Sequence, residues 1–319
     1  VDANDTFDAT GGFVTFTDAG NLTLDSTVTD LGTLSGPGTV TYDGAGDQDI
    51  VADAYNNLRA GGGSGTKTLA GAVTVAGALT IDAGVTTAMG ANSLTVTGAT
   101  TIPGTVTITT ATLDANGTFD ATGGTIDING AGDLQLEGVV TSLGILSVDF
   151  GTVTYDGPGD QDIVADDYYS LTAGGGTGTK TFTGTVTVGG NLTIDADVTI
   201  AMDSYNLTVA GAANIVGGIT VAANTLTLNG TSDVDGTITV STGTLDANGA
   251  FDATGGTITF SDAGNLNLFS TVTDLGTLSD DFGTVVYDGV DQTVFSDVYH
   301  NLTAGGGSGI KALGGEVTV

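Results

Sequence analysis

The sequence predicts an all-β fold: a parallel β-solenoid (β-helix) whose coils of about 20 residues, with about three short strands each, stack on their neighbours. Two observations predict it. The first is a long repeat whose copies differ by one clean insertion. FDATGG begins at Phe7, Phe119 and Phe251, spacings of 112 and 132, and YDG begins at Tyr42, Tyr155 and Tyr287, spacings of 113 and 132. The extra piece of about 20 residues falls between Val209 and Leu245, and nothing downstream is disturbed, which is how a solenoid grows. The second is a short period. Pieces such as VTFT from Val14, LTL from Leu22, VTV from Val73, LTI from Leu79 and VTI from Val106 alternate apolar and polar, so one face is buried and one solvated.

Gly, Asp and Asn punctuate these pieces, as tight turns require. Along one stretch the expected inward residues Val106, Leu113, Phe119, Ile126 and Leu134 step by 7, 6, 7 and 8. Three such steps fill about 20 residues, the size of the insertion. Within the insertion Ile219 to Ile238 and Leu226 to Leu245 are each 19 residues apart, and Ile238 to Ile258 is 20. About sixteen coils follow for 319 residues, with apolar side chains inside and β-branched Thr outside. The repeats are set at 1–112, 113–244 with one extra coil within about 210–244, and a shortened 245–319, joined in one continuous solenoid. The competing fold is a string of β-sandwich, immunoglobulin-like domains, since 112 residues is close to that unit. The absence of Trp, the shortness of the strands and the lack of Pro-rich linkers weigh against it.

Charge narrows the function. Of 37 acidic residues all but Glu137 and Glu316 are Asp, against four basic residues, Arg59, Lys67, Lys180 and Lys311, for a net charge of −33. Nucleic acid and anionic membrane surfaces demand clustered Lys and Arg, so neither is expected as a partner. Asp rather than Glu suits turns, because its short side chain bonds nearby backbone. Mean hydropathy is +0.25, enough to bury a core, which separates this chain from acidic disordered sequences. There is no Cys, hence no disulfide or thiolate chemistry, and no apolar run long enough to span a bilayer. With no initiator Met, the chain reads as a segment of a longer, exported protein.

One block recurs three times: YDGAGDQDIVADAYNNLRAGGGSGTKTLAGAVTV from Tyr42, YDGPGDQDIVADDYYSLTAGGGTGTKTFTGTVTV from Tyr155 and YDGVDQTVFSDVYHNLTAGGGSGIKALGGEVTV from Tyr287. It resembles the β-strand repeats of very large bacterial surface proteins, a loose adhesin-like and autotransporter-like group built as solenoids. The resemblance covers nearly the whole chain and implies an extracellular or cell-surface life, in adhesion, surface coating or fibre formation. It implies no catalytic residue. The third copy departs from the pattern, being one residue shorter after YDG, with Thr293 where the others have Asp49 and Asp162.

Candidate chemistry is sparse. Asp43, Asp47, Asp49 and Asp53, matched by Asp156, Asp160, Asp162 and Asp166, offer hard oxygen ligands at close spacing, which Ca²⁺ would take; the plain alternative is that they shape turns. Each Lys occupies the same repeat position, which suits a structural role such as pairing with Asp. The single histidine, His300, sits in a slot whose residue differs between copies, a poor place for catalysis. No enzyme is expected, since a lyase lacks its cations and a glycosidase pair cannot be picked from so many Asp. T-x-T arrays can form ice-binding faces, but here they are spread over all the short strands. Seven N-x-T sequons, at Asn4, Asn21, Asn116, Asn191, Asn206, Asn229 and Asn301, arise from composition alone. The Gly-rich AGGGSG and AGGGTG segments after Tyr55, Tyr168 and Tyr299 lack the Lys-Ser/Thr of a phosphate loop and are read as coil corners. The expected function is therefore structural: an extracellular fibre, coat or filament formed by homo-assembly, or else the stalk or glycan-binding segment of a surface adhesin.

Overall fold

The computed structural model describes residues 1–147, 149–279, 281–306 and 309–319. Every regular element among them is a β-strand, and the paired strands run parallel. The third copy of the Gly-rich segment includes Gly307 and Ser308, which lie outside the described residues. The chain forms two compact units, Val1–Thr154 and Tyr155–Val319.

In the first unit one sheet runs from Asp2–Ala3 through Asn21–Leu24, Thr39–Tyr42, Asn57–Ala60, Leu79–Ile81, Thr100–Thr101 and Phe119–Asp120 to Val140–Ser142. A second runs from Gln48–Ile50 to Ile145–Leu146, and a third from Ala54–Tyr55 to Asp133–Leu136. Consecutive strands fall on consecutive sheets, so each strand pairs with the third one after it. That is a three-sided β-solenoid. The second unit repeats the plan with sheets from Gln161–Ile163 to Thr277–Leu278, from Ser170–Ala173 to Val272–Asp274, and from Asp167–Tyr168 to Asn301–Ala304.

Register puts like on like: Leu94 on Leu113 on Leu134, and Val106 on Ile126. The five inward residues expected from the sequence, Val106, Leu113, Phe119, Ile126 and Leu134, are all fully buried. Each such side chain contributes about 1.5–3 kcal/mol of burial, repeated coil after coil. The insertion forms one whole turn: Gly218–Val221 pairs with Thr237–Val240, and Thr225–Leu228 with Thr244–Ala247.

FDATGG recurs because it builds one turn. The Asp8, Asp120 and Asp252 carboxylates accept the N–H of Thr10, Thr122 and Thr254 at 2.9, 2.9 and 3.0 Å. Gly11, Gly123 and Gly255 then take φ of 70°, 79° and 85°, a region glycine enters at little cost. Other corner glycines answer to crowding instead. A Cβ on Gly98, Gly117 or Gly138 would stand 2.3, 2.1 and 2.1 Å from the carbonyl oxygen of the glycine one coil earlier. Gly211, Gly230 and Gly249 form the same kind of column, at 2.3, 2.1 and 1.9 Å.

The repeat is not a whole number of coils. The sheet that begins with Asp2–Ala3 of the first VDAN segment holds, one repeat later, Phe119–Asp120, the next strand of the motif. Likewise the sheet that begins with Asp167–Tyr168 ends with Asn301–Ala304, the strand that follows that tyrosine in the block. Within each unit the motif therefore moves round by one face per copy.

Candidate functional site

The recurrent block folds around buried polar side chains. The alternation that sends Tyr42 inward at the end of Thr39–Tyr42 also sends Gln48 and Ile50 inward from Gln48–Ile50, and Lys67 and Leu69 inward from Thr66–Leu69. Lys67 and Lys180 have no exposed surface, and Gln48, Gln161 and Gln292 are buried beside the lysines of their copies. The Lys67 ammonium donates to the Gly44 carbonyl at 2.5 Å, the Gly46 carbonyl at 3.0 Å and Gln48 Oε1 at 3.3 Å. Lys180 does the same with Gly157, Gly159 and Gln161 Oε1, at 2.7, 3.1 and 3.1 Å. Lys311 donates to Gly289 and, at 3.0 Å, to Gln292 Oε1.

Three N–H donors meeting three oxygens is the complement an ammonium needs when water is excluded. The expected pairing of these lysines with Asp is not what forms. The one ion pair among the described residues joins Arg59 to Asp82 at 2.7 Å, and the lysines bond carbonyls and a carboxamide instead. An inward strand position reaches turn carbonyls of the preceding coil, whereas Asp47 and Asp160 of those turns are engaged by backbone N–H groups of Thr66 and Thr179. Burial lowers the Lys67 and Lys180 pKa values, and the nearby charges of Asp43 and Asp47, or of Asp156 and Asp160, offset part of that.

The glutamine completes the latch. Gln48 Oε1 also accepts the Gly44 N–H at 3.2 Å, and its Nε2 donates to the Leu24 and Ser26 carbonyls of the preceding coil at 2.9 and 2.6 Å. Lys67 lies on the next coil, paired directly with Gln48, so three successive coils are pinned together. Gln292 repeats this with Gly289, Leu268 and Ser270 at 2.8, 2.7 and 2.8 Å. With one residue fewer in the third turn the glutamine keeps its bonds, while Lys311 bonds Gly289 and Gln292 where Lys67 and Lys180 each bond three oxygens.

A tyrosine pair stands beside each latch. The Tyr42 and Tyr55 hydroxyls lie 2.9 Å apart, with rings 6.4 Å between centroids at 70°. Tyr55 donates to the Val51 carbonyl at 2.6 Å, and Tyr42 accepts the Val51 N–H at 3.0 Å, so Tyr42 is the donor between the hydroxyls. Tyr155 with Tyr168, and Tyr287 with Tyr299, close the same ring through Val164 and Phe295. Burial pushes the Tyr42 phenol up to about 12, and those of Tyr55, Tyr155 and Tyr168 higher still.

The structure distributes the candidate calcium residues along the turns. Asp47 and Asp160 each accept a backbone N–H of the next coil, from Thr66 and Thr179, at 2.8 Å. Asp53 and Asp166 accept the N–H of the residue that follows, at 2.7 and 2.8 Å. Asp49 and Asp162 point outward from exposed strand positions, and Asp43 and Asp156 are half-buried at the turn after each tyrosine. Among the described residues no three acidic, His or Cys side chains converge as a metal site would need. His300 lies on the surface beside Phe282, ring centroids 6.4 Å apart.

In the latch the three ammonium N–H groups are all engaged, and Gln48 uses both its oxygen and its amide nitrogen. Such groups hold coils together; they are not presented to a substrate. Sequence reading saw the lysines and both tyrosines of each pair recur, but did not pair the tyrosines and gave Gln48, Gln161 and Gln292 no role. The available signal was a polar residue at an inward position of a period-two strand. No protein-family model, no curated protein and no solved structure matches the chain.

Proposed function

We propose that this chain is a structural segment of an extracellular, cell-surface fibre, coat or filament that assembles with further copies of itself. The observation that carries the reading is where the chain spends its scarce polar groups. Three of its four cations and three glutamines sit in the recurrent block and bond coil to coil, which resists separation of the coils, and a tyrosine pair in each copy ties its own coil across the core. The chemistry that recurs is cohesive. The outside is left acidic, as suits a soluble exported surface, and the lack of Cys agrees with a fold held without disulfides. No catalytic role is assigned.

Negative-stain electron microscopy of the purified chain, in millimolar Ca²⁺ and again in chelator, tests this. Ordered fibres or sheets are the expected result, and their loss in chelator would make the turn Asp residues metal sites. Single particles in both conditions would refute self-assembly and favour an adhesin stalk, to be followed by a glycan-binding screen.

A further inference from the structure

In the Tyr155–Val319 unit, the sheet from Gln161–Ile163 to Thr277–Leu278 presents an outer surface unlike that of its neighbours. From Gly178–Phe182 onward, one outward column reads Thr179, Thr199, Gly218, Thr237, Thr257 and Thr277, each paired in register with the next. The parallel column two residues along reads Thr181, Ala201, Thr220, Thr239 and Thr259. Nine of these eleven positions are Thr, the other two are Gly and Ala, and no bulge interrupts the ladder. In a chain of net charge −33 these columns hold no charged residue over six consecutive strands; the sheet's outward carboxylate is Asp162 on its first strand, in register with Thr181, which bounds the second column at one end. The other two sheets of the unit put Asp233 and Asp252, or Asp167 and Asp246, at outward strand positions.

We propose that this sheet is an ice-binding face, which orders a layer of water and joins it to the surface of a growing ice crystal. Strands repeat about every 4.8 Å and alternate residues about every 6.7 Å, so the hydroxyls and methyls form a two-dimensional lattice. Branching at Cβ restricts χ1 of threonine, so much of that order exists before binding. Thr179 is tied to Asp160 through its backbone N–H, and among the described residues the hydroxyls of both columns make no hydrogen bond to protein. They are available to water, whose bridging bonds are nearly as favourable as direct ones.

The alternatives fit less well. A small ligand needs concavity, and these columns stand on the outer face of a sheet. They offer no aromatic ring for a sugar to stack on, and none of the aromatic or Arg anchors that carry protein interfaces. A periodic, uncharged, hydroxyl-bonding partner remains, and ice is one.

The test uses the whole chain. Nanolitre osmometry measures the gap between melting and freezing, and a splat assay measures recrystallisation of fine-grained ice. Wild type is expected to hold a measurable gap with faceted crystals. The variant Thr220→Lys/Thr239→Lys should abolish it, with circular dichroism and melting temperature unchanged. Thr239→Tyr, a residue strands favour, should do the same without endangering the fold. Thr208→Lys/Thr227→Lys, on the sheet that contains Leu207–Val209 and Thr225–Leu228, should retain the gap. Absence of a gap in wild type overturns the proposal, and so does equal loss in the control. So does association of wild type through this face, seen by sedimentation and relieved by the Thr220→Lys/Thr239→Lys variant, when no gap is present.

Discussion

Replacing Gln48 with Leu removes the centre of one latch while keeping side-chain volume nearly constant. Four hydrogen bonds go: from Lys67 and Gly44 to Oε1, and from Nε2 to Leu24 and Ser26. The one to the ammonium is worth about 1.5–3 kcal/mol and the three neutral ones about 1 kcal/mol each. Burying leucine methyls in place of the amide returns about 1.5–2 kcal/mol, leaving a loss of roughly 3 kcal/mol. For the 154-residue unit that contains it, this is about 10 °C in melting temperature at roughly 2–4 °C per kcal/mol. Differential scanning calorimetry reads the shift. Hydrogen exchange locates it, with protection expected to fall in Asn21–Leu24 and Thr66–Leu69, the strands on either side. Asp49→Ala, one residue away and exposed, serves as control and should stay within about 0.5 kcal/mol of wild type. If Gln48→Leu melts with the control and exchange is unchanged, the latch is not what holds these coils.

Three further outcomes are expected. Alkaline unfolding should be steep between pH 10 and 12. The unfolded Tyr42 phenol releases its proton near its ordinary pKa of 10.0 while the folded one holds it to about 12, so stability present below pH 10 is lost at about 1.4 kcal/mol per pH unit and phenol. Lys67, lowered from 10.5 by burial, acts in the opposite sense just below that pH, so a melting temperature that falls steadily from pH 8 would contradict the assignment. Gly230→Ala would place a Cβ 2.1 Å from the Gly211 carbonyl oxygen and should destabilise by about 1–3 kcal/mol through backbone displacement, which urea titration measures. Gly123→Asn should cost much less, within about 1 kcal/mol, because Gly123 has φ of 79° with no atom near its Cβ and Asn tolerates that region; equal losses at both positions would show that crowding does not govern the glycine columns.

The coils were legible because a period-two pattern fixes which residues face inward, and Val106, Leu113 and Phe119 show it at successive steps. The insertion was legible because one whole coil disturbs no register. The latch was not, since a buried lysine bonded to backbone oxygens leaves no acidic partner to find in the sequence; only its inward slot, between Thr66 and Thr68, marks it. The glycine columns were hidden for another reason. Gly98 and Gly230 look like ordinary turn glycines until the coil above is in place. The charge-free threonine columns depended on knowing which strands share a sheet, and coil lengths that vary between 17 and 22 residues blur that assignment over several turns.

The drift of the motif by one face per copy has a consequence for the history of such chains. Recombination between copies that removes a 112-residue block would leave every ladder matched, because each strand would still meet the neighbours it has now. The strands that follow within the same unit would nonetheless be turned to a different compass bearing. Losing or gaining a single coil, as between Gly218–Val221 and Thr237–Val240, changes length but keeps bearing. Length and orientation can thus vary independently in this architecture, and a function that depends on one outward side tolerates coil-by-coil growth but not the loss of a repeat.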